Sequence, residues 1–126
     1  MPSKLRVTRI ADRIKEEISE MLVTGQISDP RLTQVFITDV TVDRELMYAT
    51  IFISSIEGKE ASQFILEGLE SASGYLRSVL SKRIELRSFP KLRFFWDETP
   101  ERAERIERLI DSLSQEEQDN ASEKED

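Results

Sequence analysis

A chain of 126 residues, 38% hydrophobic and 34% charged, has room for one modest core and one domain. It has no cysteine and no histidine, which excludes disulfides and thiolate metal sites and removes the commonest general bases and nucleophiles. Its net charge of −7 is uneven: residues 1–98 hold 14 Lys+Arg against 15 Asp+Glu, and residues 99–126 hold 4 against 10, so the body is near neutral and free to carry a positive face.

The start, Met1-Pro2-Ser3-Lys4, lacks the apolar centre of a signal peptide, and no apolar run approaches the roughly 20 residues that span a bilayer. A cytoplasmic protein with no membrane partner is expected. Residues 5–24 read as a helix, with Ile10, Ile14, Ile18, Met21 and Leu22 on one side and Gly25 as its stop. Asp29-Pro30-Arg31 signals a turn. Residues 35–43 and 46–54 are β-branched and partly alternating, and the polar Asp43-Arg44-Glu45 between them suggests an antiparallel hairpin.

Residues 60–72 place Ile65, Leu69 and Ala72 on one helical face, and residues 75–82 continue with Leu76, Val79 and Leu80. Ala72-Ser73-Gly74 lies between the two patterns, where Ser and Gly favour a break or a kink. Leu92 to Asp97 reads as a third strand after Pro90, with Leu92, Phe94 and Trp96 facing the core and Arg93 and Phe95 facing away. Thr99-Pro100-Glu101 reads as a helix start, with Thr99 the N-cap, followed by the apolar stripe Ile106, Leu109, Ile110 and Leu113. Residues 115–126 have one apolar residue, Ala121, and are expected to be a disordered acidic tail. The order predicts an α+β domain of two layers, helices on one face of a three-stranded sheet, with an accessory C-terminal helix.

Residues 71–95 are a basic and aromatic island. Arg77, Lys82, Arg83, Arg87, Lys91 and Arg93 stand there against Glu85 alone. Such a cluster in an acidic chain points to a polyanion: Arg and Lys neutralise phosphates, and neighbouring aromatic rings stack on bases. Arg6, Arg9 and Arg13 share one side of the first helix, although Asp12, Glu16 and Glu17 offer them intrahelical partners. Helical geometry does not align the island into a single stripe. The second helical stretch is therefore expected to end near Lys82 and let Arg83 and Arg87 turn outward. The carboxylate pairs Asp39/Asp43 and Asp97/Glu98 read as surface charges, no Gly-rich phosphate loop occurs, and no cofactor or small-molecule substrate is expected.

Taken together, Arg9-Ile10-Ala11, Asp29-Pro30-Arg31, Ala72-Ser73-Gly74-Tyr75-Leu76-Arg77 and Pro90-Lys91-Leu92-Arg93-Phe94 with Trp96-Asp97-Glu98 resemble the ribosome-binding factor A family over residues 5–113. The resemblance implies a KH-like fold of type II order (α-β-β-α-kink-α-β). It implies a non-enzymatic assembly factor that binds the immature small ribosomal subunit and its rRNA and supports rRNA processing. It also implies greatest need in the cold, and release helped by a GTPase. Ordinary KH domains clamp RNA with a Gly-x-x-Gly loop, which this chain lacks; the family has an Ala-x-Gly kink instead, matched by Ala72-Ser73-Gly74.

The expected organisation is a KH-like RNA-binding domain over residues 1–98, an accessory helix over 99–114 and the tail over 115–126. The expected RNA-binding residues are Arg6, Arg9, Arg13, Ala72, Ser73, Gly74, Arg77, Lys82, Arg83, Arg87, Lys91 and Arg93. A rival reading is a protein-interaction adaptor that uses the sheet face or the C-terminal stripe. A remote third is a hydrolase acting through Asp39 and Asp43.

Overall fold

The computed structural model describes residues 2–124, with side chains described through residue 118. Three strands, β1 (Val35–Val42), β2 (Tyr48–Ser55) and β3 (Lys91–Trp96), form one sheet in the order β1-β2-β3. β1 and β2 are antiparallel, whereas β2 and β3 are parallel and joined by the crossover helix α2 (Ser62–Arg83). Helix α1 (Lys4–Val23) packs over β1 and α2 over β3, so both lie on one side of the sheet. This is the two-layer α+β architecture expected from the pattern.

The apolar periodicity builds the core directly. Ile10, Ala11, Ile14, Ile18 and Met21 of α1 and Ile65, Leu69, Leu76 and Leu80 of α2 are buried against Val35, Ile37, Val40, Ala49, Ile51 and Ile53 of the sheet. Each of the Val, Ile, Leu and Met side chains among them, fully buried, contributes about 1.5–3 kcal/mol. Leu92, Phe94 and Trp96 pack on this core as their strand parity requires. α1 starts at Ser3, whose Oγ accepts from Arg6 N at 3.2 Å. It ends at Gly25, where φ is 72° and Gln26 N donates to Met21 O at 3.1 Å, a Schellman closure.

Three elements differ from the sequence expectation. First, α2 is unbroken through Ala72-Ser73-Gly74. Ser71 Oγ donates to Glu67 O at 3.0 Å and Ser73 Oγ to Glu70 O at 2.8 Å, the back-bonding that bends helices rather than ending them. A break signal worth about 1 kcal/mol loses to the apolar face that runs on both sides of it. Second, α3 (Thr99–Lys124) starts one residue early and runs past residue 114. Its entry is held by Asp97 Oδ1, which accepts from Thr99 N at 2.9 Å, so a carboxylate two residues upstream takes the place assigned to the Thr99 side chain. Residues 115–124 are helical where disorder was expected, because Gln, Glu, Lys and Ala have high helix propensity even without a core to cover; residues 125 and 126 lie outside the described residues. Third, β1 carries a bulge between Ile37 and Asp39. Thr38 there bonds to Phe52 O at 3.2 Å and Asp97 Oδ2 at 2.6 Å.

Candidate nucleic-acid interface

The second half of α2 and the chain leading into β3 enclose a groove of about 360 Å³, lined by Gly74, Arg77, Ser78, Ser81, Leu86, Arg87 and Phe89. Arg77 builds one wall. Its Nη2 donates to Phe89 O at 2.7 Å and its Nε to Pro90 O at 3.2 Å, pinning the connection that follows α2. At Gly74 a Cβ would meet nothing within 4 Å, so nothing inside the protein requires the missing side chain. The bare backbone there opens to solvent beside the groove.

Arg87 also borders a second depression of about 280 Å³, shared with Pro2, Arg6, Glu45, Leu46, Met47, Leu86 and Ser88. The fold thus brings the start of α1, the hairpin turn and the α2–β3 connection together around two arginines 81 positions apart in sequence. The turn is fixed by Asp43 Oδ1, which accepts from Tyr48 N at 2.7 Å. Leu46 there takes φ 57°, a left-handed conformation that costs a non-glycine residue about 1–2 kcal/mol.

α2 does end at Arg83, one residue beyond Lys82. Arg83 does not turn outward: its Nη1 donates to Glu17 Oε2 at 2.8 Å, and its carbonyl accepts from Arg13 Nη2 at 3.2 Å. Arg13 also reaches Glu17 Oε1 at 3.4 Å, so one carboxylate sits between two cations where α1 meets α2. Among the described residues, the side chains of Arg6, Arg9, Lys82, Arg87 and Lys91 have no hydrogen-bond or ion-pair partner. These cations are solvated and available to an anion.

The expected residues do not form one patch. Strand alternation puts Lys91 and Arg93 on the sheet face away from the helices. Arg93 lies with its Cζ 3.3 Å from the Tyr48 ring centroid, a cation–π stack. Arg77 holds the groove wall and Arg83 ties α2 to α1, while Arg6, Arg9, Lys82 and Arg87 present free charge. Sequence reasoning offered Glu17 as an intrahelical partner but missed its second cation, Arg83, and it missed Tyr48 beneath Arg93.

The remaining charges are mostly structural. Asp39 Oδ1 accepts from Val40 N at 2.9 Å, so Asp39 and Asp43 both serve backbone geometry. Hydrogen bonds from Thr38 and then Thr99 hold the Asp97 carboxyl below its ordinary value. Lys59 and then Arg102 do the same for Glu98. Among the described residues no group of three or more acidic side chains could hold a metal ion, and no helix is long and apolar enough to cross a membrane. Another groove, about 590 Å³ between α1 and β1, has Lys4, Asp12, Asp39 and Arg44 among its lining residues. Its mixed sign does not select a polyanion.

The family model described as ribosome-binding factor A matches residues 6–110. This chain belongs to the ribosome-binding factor A family. It is 42% identical over 106 residues to ribosome-binding factor A of Nitrosomonas europaea, covering 84% of this chain and 90% of that one. It is 40% identical over 123 residues to that of Gloeobacter violaceus, covering 96% and 95%. The crystal structure of ribosome-binding factor A from Thermus thermophilus superposes with a TM-score of 0.61 at 20% identity, covering 71% of this chain and 93% of that one. A Thermotoga maritima protein solved by solution NMR gives 0.58 at 26%, covering 75% and 90%. A Thermus thermophilus ribosome-binding factor A homology model, fitted into the cryo-EM map of a 30S complex, gives 0.51 at 19%, covering 68% and 93%. The family's KH-like architecture is therefore the fold of this chain, and its Ala-x-Gly position falls beside the groove.

Proposed function

We propose that this protein is a non-enzymatic assembly factor that binds the immature small ribosomal subunit through its rRNA and assists rRNA processing and maturation. One observation carries the reading most: the unpartnered Arg6 and Arg87 line adjoining depressions that share Leu86 and Arg87 and reach the open backbone of Gly74, with the unpartnered Lys82 at the end of α2. Phosphates fit such a surface, because each Lys or Arg that neutralises one releases counterions. Membership of the ribosome-binding factor A family and the 30S complex of the Thermus thermophilus factor support the same target. On this reading the protein acts in the cytoplasm, is needed most in the cold and is released with the help of a GTPase. Residues 1–98 are the RNA-binding domain and the acidic C-terminal part restrains nonspecific binding.

The test is binding to isolated small subunits and to their free rRNA across a salt series, wild type beside Lys82→Glu/Arg87→Glu. With about five phosphates neutralised, log affinity falls against log salt with a slope near −4. The double variant should bind weakly with a flattened slope. A flat wild-type slope with normal binding by the variant would overturn the reading. Removal of residues 115–126 should tighten nonspecific RNA binding at low salt, and unchanged affinity would remove the restraining role.

One observation favours a second reading. Ile106, Leu109, Ile110 and Leu113 are each more than half exposed along one side of α3. If this protein is an adaptor, Leu109→Asp/Leu113→Asp abolishes subunit binding while free rRNA still binds normally.

A further inference from the structure

Among the described residues, no helix packs broadly on the sheet face opposite α1 and α2, although Ser54 on that face is buried. Register and alternation place Phe36 on β1, Tyr48 and Phe52 on β2, and Lys91, Arg93 and Phe95 on β3 upon it. Phe95 is 48% and Phe36 41% exposed. Phe52 and Phe95 form a tilted pair with centroids 6.2 Å apart and an interplanar angle of 35°. The Arg93–Tyr48 stack lies about 13 Å further along β2, four residues at the strand rise. Two aromatic stations on a flat surface, bordered by two cations, are an unusual use of solvent-facing strand positions.

We propose that this face is a stacking platform for unpaired bases of single-stranded RNA, with Lys91 and Arg93 taking the flanking phosphates. The proposal rests on the RNA-binding reading above and extends it to a second surface, across the sheet from the groove. Charge decides the occupant. Lys91 and Arg93 make the β3 side of the face cationic, whereas the carboxylates at its margins are already engaged, Asp39 by Val40 N and Asp97 by Thr38 and Thr99 N. Continuity points the same way: Lys91 directly follows Pro90, whose carbonyl Arg77 holds at the groove wall. A strand leaving the groove therefore meets Lys91 and the aromatic rings next. Every base has a π-face, so such a platform accepts unpaired nucleotides of any sequence and rejects a duplex, whose bases are already stacked.

The test uses the full chain with two probes, a short adenosine homopolymer strand and an RNA duplex. Phe95→Ala should lower affinity for the single strand on the order of tenfold, the value of one base stack, and leave duplex binding unchanged. Phe95→Tyr should restore it, and Lys82→Glu/Arg87→Glu should weaken both probes. If Phe95→Ala proves unstable in thermal melting, Phe36→Ala at the exposed margin reads the same platform. Normal single-strand binding by these variants overturns the platform but leaves the groove reading intact. Loss of small-subunit binding with normal binding of both probes also overturns it and assigns the face to a protein. A wild type that binds neither probe overturns both readings.

Discussion

Asp97 joins three elements through one carboxylate, accepting from Thr38 in the β1 bulge and from Thr99 at the start of α3 while it closes β3. Its folded pKa is lowered from the ordinary 3.8. The stability it adds is therefore full above that value and is lost as the pH falls through the lowered one. Asp97→Asn should cost about 1 kcal/mol at neutral pH, a charged hydrogen bond discounted for solvent access. Melting curves of variant and wild type should converge in acid, and a gap that persists there would mean that the side chain acts by shape alone. Two glycines of α2 separate space from function in the same way. At Gly68 a Cβ would lie 3.1 Å from Leu32 Cδ2 and 3.2 Å from Arg31 Cβ, so Gly68→Ala should destabilise by about 1–3 kcal/mol. Gly74 has open space. Gly74→Ala should stabilise the helix by about 0.5–1 kcal/mol and yet weaken RNA binding, if a phosphate backbone approaches there. A stabilised variant with unchanged RNA affinity would show that the open backbone serves no ligand.

At the scale of elements, the junction of α1 and α2 is an electrostatic clasp with excess positive charge. Glu17 alone balances Arg13 and Arg83, and its side chain is only 17% exposed. Glu17→Gln should release both guanidiniums, raise RNA affinity at low salt and steepen the salt slope by about one. The same change should cost less than about 1 kcal/mol of stability in denaturant titration, as partly exposed ion pairs do. Unchanged affinity would put the clasp outside the RNA path. Much of the element plan was legible because it follows from period and punctuation. Gly25 ends α1, and alternation sorts Leu92, Phe94 and Trp96 from Arg93 and Phe95. What was not legible depends on partners distant in sequence. Glu17 meets Arg83 across 66 positions, and the Thr38 bulge is set by how β1 pairs with β2. That bulge shifts side-chain parity midway along β1. The expected disordered tail failed for another reason: the expectation weighed burial alone, whereas local helix propensity carries α3 onward.

At the scale of the molecule, charge and topology are partitioned together. The cations proposed to contact RNA sit on α1, α2, the α2–β3 connection and β3, while the acidity leaves the body along α3, which does not pack broadly on the sheet. The family resemblance supplied the expected target, and the folded arrangement adds that Arg6 and Arg87 line adjoining depressions while Lys91 and Arg93 lie across the sheet.

The parallel pairing of β3 with β2 also sets an order of assembly. α1, β1 and β2 are neighbours in sequence and can associate early, whereas β3 must wait until the long crossover has closed, a loop entropy paid before its contacts form. In stopped-flow refolding, Val40→Ala should therefore slow folding, whereas Phe94→Leu should chiefly speed unfolding. The reverse pattern would place β3 in the nucleus. Arg77 clasps Phe89 and Pro90 immediately ahead of β3, so on this order of assembly the groove wall is fixed in its final place only when β3 docks. A chain caught half-folded carries the same charges without that groove, so on the proposed RNA-binding reading recognition doubles as a check that the protein itself is finished.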